Sequence, residues 1–443
     1  MKNIFIWMLL YYLRFFARLS LSINKPKIIG ITGSVGKSSA RNAIYAALKD
    51  YFKVKMIKEG NSETGVPLGI LGIDPGHYQM TDWLRVIFLS PFKINYLKGI
   101  EYLIVEMGID SPYPPKNMDY LLTIVKPDIS VVLNVHPVHT EQFDRVINEN
   151  LIGKKRLKSI LDRIAEEKLK IITEVNPKIG IINENLASPD LRGREGTKLM
   201  IFGNNKDVDI RFLNYQADLK ETTFKYLLTK DNQEIIINIK NFVLPKGYEE
   251  IFAATILVGK ALNLSNIQIK TGLEKSFSMP LGRGSLFSGI RDSVIIDSSY
   301  NASKAPVLTY LELSHRLAEQ ETRPLVFLFG DMRELGEEAR QEHLQIVQEI
   351  IKKVSQLYCV GPLTKQFVIP QVTGKIKEAK WFENSVQAGI YLEKHLPYRS
   401  IILVKGSQNQ IFLEEAIKKI LKSKSDFKNL CRQSDFWMWK KQS

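Results

Sequence analysis

The chain has 443 residues, 44% apolar and 25% charged, and carries a net charge of +15 with a pI near 9.4. That composition excludes a disordered chain and leaves room for two or three domains with real cores. Two cysteines, Cys359 and Cys431, exclude a disulfide scaffold and show no metal-ligand spacing; they fit a reducing, cytoplasmic compartment. The basic balance suits an anionic partner. The lysines are scattered, however, and no zinc-finger, RNP or helix-turn-helix pattern occurs, so no nucleic-acid partner is expected.

The first segment, residues 1–26, holds the run "IFIWMLLYYL" (4–13), ten apolar residues without a break. Arg14 and Arg18 then interrupt the apolar character. A membrane-spanning helix needs roughly 20 apolar residues, so this run is short for that task. Two readings remain. Residues 1–22 form a helix in the membrane interface, with Trp7, Tyr11 and Tyr12 at headgroup level and the arginines on phosphates, on the inner face of the membrane. Alternatively, the helix packs on its own domain or on a partner. The aromatic-basic tail, 425–443, ends in "FWMWKKQS" and divides the same way.

"IIGITGSVGKSS" (28–39) is a strand-like run, a turn with Gly33 and Gly36, then Lys37 and Ser38 before a helical segment. Glycines admit backbone N–H groups to phosphate oxygens, and a helix N-terminus adds partial positive charge. The strict phosphate-loop pattern wants a glycine at position 31, where isoleucine stands. The shorter GxxGK[ST] pattern, between strand and helix, still places Lys37 on β/γ-phosphates and the Ser38 hydroxyl on Mg²⁺.

Further apolar runs occur at 101–108, 128–135 and 178–183, as a parallel sheet buried on both faces requires. The first ends in Glu106, a carboxylate at a strand's C-terminal end and in position for Mg²⁺. The second leads to His136 and His139, which are ligands or plain loop residues. Lys168 lies on the apolar stripe of Leu157, Leu161, Ile164 and Ile171. Either it snorkels, or CO₂ converts it to a carbamate, a carboxylate-like metal ligand. Residues 201–244 alternate, as an antiparallel patch would.

Pro280 and Gly282 mark a hinge, after which strand and helix patterns alternate again over about 140 residues, enough for an independent domain. Its polar loops, 295–306, 329–336 and 403–410, each come directly after a strand.

In order and in register, "GITGSVGKSS", "NSETGVPLGIL" (61–71), "VEMG", "LNVHPVHTEQF", "IAEEKLKI", "GRG", "IIDSSYNAS", "FGDMRELGEEARQEH" and "LVKGSQ" resemble the Mur ligase superfamily over residues 27–422. The resemblance implies a central P-loop-type α/β ATPase domain with a mostly parallel sheet (27–281) and a C-terminal Rossmann-like α/β domain (282–424). It implies ATP-dependent amide ligation through an acyl phosphate that an amine attacks. The implied substrates are a UDP-sugar peptide and an amino acid or dipeptide, D-Ala-D-Ala in the leading reading. A different carboxylate–amine pair (pseudomurein peptide, folate or poly-amino acid) and a membrane-attached ATP-binding paralogue without turnover are the alternatives.

It also assigns residues. Gly33, Ser34, Val35, Gly36, Lys37, Ser38 and Ser39 would hold ATP phosphates. Ser38, Glu106, His139 and a carbamylated Lys168 would hold two Mg²⁺. The C-terminal domain would bring Arg283, Asp297, Tyr300 and Asn301 to the nucleotide. Asn61, Ser62, Lys405, Gly406 and Ser407 would meet the other substrates. A monomer is expected. The pattern departs where Ser298 replaces a second acid, where "NASK" replaces "NANP", and where "KGYEEIF" stands for a G-x-H-N stretch. No separate UDP-binding domain fits before residue 28, and the acceptor is expected to be held by the central domain.

Overall fold

The computed structural model describes the whole chain apart from residues 1, 59, 77–78, 138–139, 148–150, 334, 336–338, 408–409 and 443, and apart from the side chains of residues 2, 3, 5, 140, 141, 435, 436, 439 and 442. The first elements are α1 (Lys2–Asn24), β1 (Lys27–Thr32), α2 (Lys37–Leu48), β2 (Val54–Met56), α3 (Gly65–Leu71), α4 (Met80–Leu89), β3 (Tyr102–Glu106), α5 (Met118–Leu122) and β4 (Ile129–Val132). Next come α6 (Thr140–Asp144), α7 (Gly153–Thr173), β5 (Ile179–Asn183), α8 (Pro189–Arg192) and strands β6 (Lys198–Gly203), β7 (Ile210–Ala217), β8 (Glu221–Leu228) and β9 (Gln233–Lys240). Helices α9 (Tyr248–Ala261) and α10 (Asn266–Ser276) complete this part.

These strands form one nine-stranded sheet in the order β2-β3-β1-β4-β5-β6-β7-β8-β9. Pairing is parallel from β2 to β7. The turns joining β7, β8 and β9 are only a few residues long, which only antiparallel hairpins allow. The apolar runs become fully buried strands: every residue of β3 and β4 is buried. Ile28, Leu103, Val105 and Val132 share a core with α5 and α7. Strand β1 lies between β3 and β4, so strand order reverses there and leaves a crevice at its C-terminal end, where the glycine loop sits.

Helix α1 is a single 23-residue helix that fills the N-terminal segment expected to be helical. Residues Ile6–Asn24 make it long and apolar enough, by composition alone, to cross a membrane. One face is nevertheless docked: Leu9 and Leu13 pack with Leu68, Leu71 and Val86, while Leu10 and Ala17 join the core beneath. The protein-packing reading thus describes one face and leaves the other to solvent.

The remaining elements are β10 (Ser285–Ser288), β11 (Val294–Asp297), α11 (Lys304–Gln320), β12 (Leu325–Gly330), α12 (Ala339–Lys353), β13 (Gln356–Val360), α13 (Pro362–Phe367), α14 (Ile369–Val372), β14 (Glu378–Phe382), α15 (Ser385–His395), β15 (Ile401–Lys405), α16 (Glu414–Ile420) and α17 (Asp435–Gln442). Their sheet runs β10-β11-β15-β12-β13-β14, parallel except for β10. By contacts, residues 279–443 with 216–223 and 238–246 form one compact unit, and the rest of the chain forms the other.

If docking of α1 contributes to the first unit's stability, Leu13→Ala, at a fully buried position, should cost about 2–5 kcal/mol in a urea melt. An unchanged midpoint would show that the helix is a passive appendage.

Candidate active site

The glycine loop leaves β1 at the strand-order reversal. Gly36 has φ 85°, and a Cβ there would also crowd Ile251 at 3.3 Å, so glycine alone suits the turn. Helix α2 starts with no side-chain cap, which leaves its first N–H groups for a ligand. The amides of Ser34 and Val35 are instead taken by the Asn134 carbonyl (2.9 Å) and side-chain Oδ1 (3.0 Å). The Ser34 hydroxyl accepts from His136 N–H at 2.9 Å. The residues after β4 therefore brace the loop, and the open amides are those of Lys37, Ser38 and Ser39. The Ser39 hydroxyl lies 3.2 Å from the Tyr248 hydroxyl.

Lys37 folds back onto the Gly33 and Ser34 carbonyls at 2.8 and 3.3 Å. Burial lowers its pKa, against the pull of Glu106 and Asp110. Ser38 donates to Glu106 Oε2 at 3.1 Å. The other oxygen, Oε1, stands 2.7 Å from Arg41 Nη1 yet has no hydrogen-bond partner. The two observations agree if the guanidinium is close but misaligned, with its N–H groups aimed at the Ile57 and Lys58 carbonyls. A buried hydroxyl and a buried carboxylate with one orphan oxygen suit a hard, oxygen-seeking cation that takes its other ligands from water and phosphate. Among the described residues no cluster of three His, Cys, Asp or Glu side chains exists, so such a cation would depend on that phosphate.

Lys168 is carried by α7 into the same place and is only 3% exposed. It lines a cavity of about 50 Å³ with Lys37, Asn61, Asp110 and the Gly33–Ser34 backbone. Its neighbour Glu167 is committed elsewhere, accepting from Met118 N–H at 2.7 Å and pairing with Lys170. Among the described residues no carboxylate hydrogen-bonds Lys168. Burial first, and then the Lys37 charge, push its pKa down to about 7. Plain snorkelling would leave the ammonium in water, and the buried position does not. Asn61 is pressed against Gly108, where a Cβ would meet its side chain at 2.8 Å. Ser62 instead accepts from the Gly65 amide at 3.4 Å, at the start of α3. His139 lies outside the described residues. A separate cavity of about 630 Å³ opens beside Arg18, Ile28 and Lys126 at the start of β1, the end opposite the loop.

Sequence reasoning missed three members of this neighbourhood. Arg41 and Asp110 carried no motif. Glu250 looked like a departure, yet its two oxygens accept from Asn134 (2.9 Å) and Asn183 (3.1 Å). Burial raises its pKa against those bonds. Asparagines at the ends of two apolar strands were the available signal.

In the second unit, Arg283 lies over the Tyr300 ring at 4.7 Å, and Tyr300 N–H donates to the Gly282 carbonyl at 3.0 Å. Asp297 is fully buried, accepts from Ser299 N–H at 3.0 Å and keeps Oδ2 unpartnered. Burial lifts its pKa to about 6. Ser298, in the second acid's place, accepts from Lys405 Nζ at 3.1 Å, and the Asn301 carbonyl accepts at 3.0 Å. Facing a hydroxyl and carbonyls, the buried Lys405 is pushed down to about 7, first by burial and then by Arg283. Ser407 accepts from Arg333 N–H at 2.8 Å, beside Gly406.

Under this loop lies the tail. Leu430, Cys431 and Arg432 are buried. The Arg432 guanidinium pairs with Glu414 through Nε (2.9 Å) and Nη2 (2.5 Å) and donates to the Ser299 and Tyr300 carbonyls, both at 2.9 Å. Lys441 adds a second cation 2.7 Å from Glu414.

A Mur ligase middle-domain model matches residues 31–243, and a Mur ligase glutamate ligase domain model matches 282–408. The UDP-N-acetylmuramoyl-tripeptide–D-alanyl-D-alanine ligase of Rickettsia prowazekii is 25% identical over 392 residues, 87% of this chain and 76% of the relative. The MurF ligase of Thermotoga maritima, solved with ADP, superimposes with a TM-score of 0.67 at 21% identity, covering 93% of this chain and 83% of that one. A MurF structure from Acinetobacter baumannii gives 0.69 at 19% identity, with 91% and 78% covered. These two share the fold.

Arg432→Met should destabilise the second unit by about 3 kcal/mol or more, because it strands buried partners. Adding Glu414→Leu should recover part of that loss in the same urea titration. An equal loss in single and double variants would show that Glu414 is not the partner that matters.

Proposed function

The chain belongs to the Mur ligase family of ATP-dependent ligases, and on that premise we propose that it joins D-Ala-D-Ala to the peptide carboxylate of a UDP-MurNAc-tripeptide in peptidoglycan precursor synthesis. The observation that carries this reading is the convergence of the open α2 amides, Lys37, Ser38, Glu106 and Lys168 at one end of β1. A carboxylate is a poor acyl donor until it is phosphorylated. The β–γ P–O bond of ATP breaks and ADP leaves as the carboxylate oxygen bonds to the γ-phosphorus; the amine then adds to the acyl carbon and gives up a proton, and phosphate leaves.

Lys37 exchanges its loop carbonyls for phosphate oxygens and stabilises charge developing there. The loop glycines, Ser34, Val35 and Ser39 shape the cradle, while the α2 amides face the phosphates. Ser38 and Glu106 would hold one Mg²⁺, and His139 with a carbamylated Lys168 would serve a second. Bound Mg²⁺ supplies charge neutralisation and alignment of phosphoryl oxygens. Residues 27–281 form the ATP-binding domain. In residues 282–424, Arg283, Tyr300 and Asn301 face the nucleotide, Asp297 holds their loop, and Lys405, Gly406 and Ser407 serve the incoming amine. Asn61 and Ser62 serve the acceptor. The enzyme works in the cytoplasm as a monomer, with residues 1–22 touching the membrane surface.

The carbamate reading has a physical basis. Two buried lysines repel, and a neutral amine is the form that attacks CO₂. The ammonium first loses one proton; the neutral amine then adds CO₂ and loses a second, which turns Lys168 from a second cation into an anion that Lys37 attracts.

With Mg-ATP and UDP-MurNAc-tripeptide, phosphate release should require D-Ala-D-Ala. Release driven by another amine would reassign the substrate pair, and ATP binding without turnover on any pair would identify a paralogue that has lost the reaction. Glu106→Gln should lower kcat by about 10²-fold or more.

For Lys168 the sign follows from its lowered pKa. Below about 7 the ammonium dominates and carbamate is lost; above it the neutral amine accumulates. At fixed total dissolved CO₂, a carbamate signal in ¹³C NMR should therefore grow through pH 7, and it should vanish in Lys168→Ala, which bicarbonate cannot restore. A labelled signal that persists in the variant would rule out this residue.

A further inference from the structure

Two neighbouring helices of the first unit each turn a stripe of large apolar side chains to solvent. On α1 the stripe is Ile4, Met8, Tyr11 and Phe15, opposite the docked Leu10, Leu13 and Ala17. On α4 and the single 3₁₀ turn that continues it (Ser90–Lys93), the stripe is Met80, Leu84, Phe88 and Phe92, spaced by four. All eight are more than half exposed, and Phe88 and Phe92 reach 68% and 72%.

The stripes are joined. Tyr12 donates its hydroxyl proton to the Ile87 carbonyl at 2.7 Å. Ring contacts from Phe15 to Phe16 (5.1 Å) and from Phe16 to Tyr12 (4.8 Å) run from the α1 stripe to that seam. Single exposed apolar residues are ordinary on any protein, whereas eight large ones in two stripes on adjoining helices mark an interaction surface.

Charge selects the occupant. Residues 1–27 and 79–99 contain eight lysines and arginines and one acid, Asp82, so seven of the chain's fifteen net positive charges lie in these two segments. A second copy laid on the same face would oppose cation to cation. A bilayer with anionic headgroups accepts both components: apolar side chains enter the headgroup–acyl boundary and the cations stay among the phosphates.

We propose that α1 and α4 together form a preformed docking face for an anionic lipid bilayer. The proposal rests on the membrane contact assigned above to residues 1–22 and enlarges it. The surface is set by folding rather than by a tethered helix, and α4 carries half of it.

The test is flotation of the full chain with vesicles of phosphatidylcholine, alone or mixed with phosphatidylglycerol. Binding to the anionic vesicles should be about tenfold tighter or more, and should weaken as salt is raised. Met8→Glu with Phe15→Glu, and separately Leu84→Glu with Phe88→Glu, should each lower binding by about tenfold or more. Phosphate release in solution and thermal midpoints should stay unchanged, because these side chains face solvent. If the α4 pair floats like the native chain while the α1 pair does not, the two-helix face is wrong and the lone-helix contact stands. If neither pair matters, both fall. A native chain that ignores vesicles and sediments as a dimer, dissociated by the α4 pair, would give the face to a second copy and overturn the proposal. Should a pair melt early, Phe88→Cys labelled with bimane decides: a blue shift on anionic vesicles supports the face, and an unshifted spectrum overturns it.

Discussion

The first unit is organised around basic side chains buried at one end of β1. Lys37, Lys168 and Arg41 are drawn out of water there, with Glu106 and Asp110 as nearby carboxylates. Removing cations from water is costly unless anions accompany them. The shortfall has the right sign and place for a polyphosphate, so the site is electrostatically finished by what it binds. Burial is the first cause of the lowered pKa of both Lys37 and Lys168, with the Lys37 charge adding to it at Lys168.

That arrangement needs a rigid floor. Burying β3, β1 and β4 between helix layers fixes three strand ends to within a register step, because one residue of slip would turn every side chain to the other face. Glu106 and Asn134 owe their places to that register: one ends β3, the other lies just past β4, and β1 between them delivers the glycine loop. Helix α7 then adds Lys168 from outside the sheet. Its placement depends on Glu167 being held by the Met118 amide and Lys170, which fixes the helix's rotation.

Much of this was legible in the sequence, for reasons that vary by residue. Continuous apolar runs identified β1, β3, β4 and β5 because strands buried on both faces tolerate little else. The loop could be read because its chemistry demands glycine, lysine and a hydroxyl at fixed offsets. Arg41, Asp110 and Glu250 could not be read, since their meaning comes from neighbours distant in the chain. Ser298 looked like a loss; its hydroxyl instead receives the ammonium of Lys405. Helix α1 was legible in extent, because Arg14 and Arg18 break the hydropathy without breaking the helix, but which of its faces is docked was not. The tail's aromatic-basic composition gave no hint that the buried residue would be Arg432.

The Arg432 clamp has a consequence for how the second unit fails. Residues 422–429 form a largely exposed stretch between the last core helix and the guanidinium that satisfies the Ser299 and Tyr300 carbonyls. A protease nicking that stretch would leave all six strands of the sheet uncut. It would convert the anchor from a tethered part into a separate peptide, held only by its own affinity. Damage at the chain's periphery would then surface as a loosened Ser299–Tyr300 loop in an otherwise folded domain.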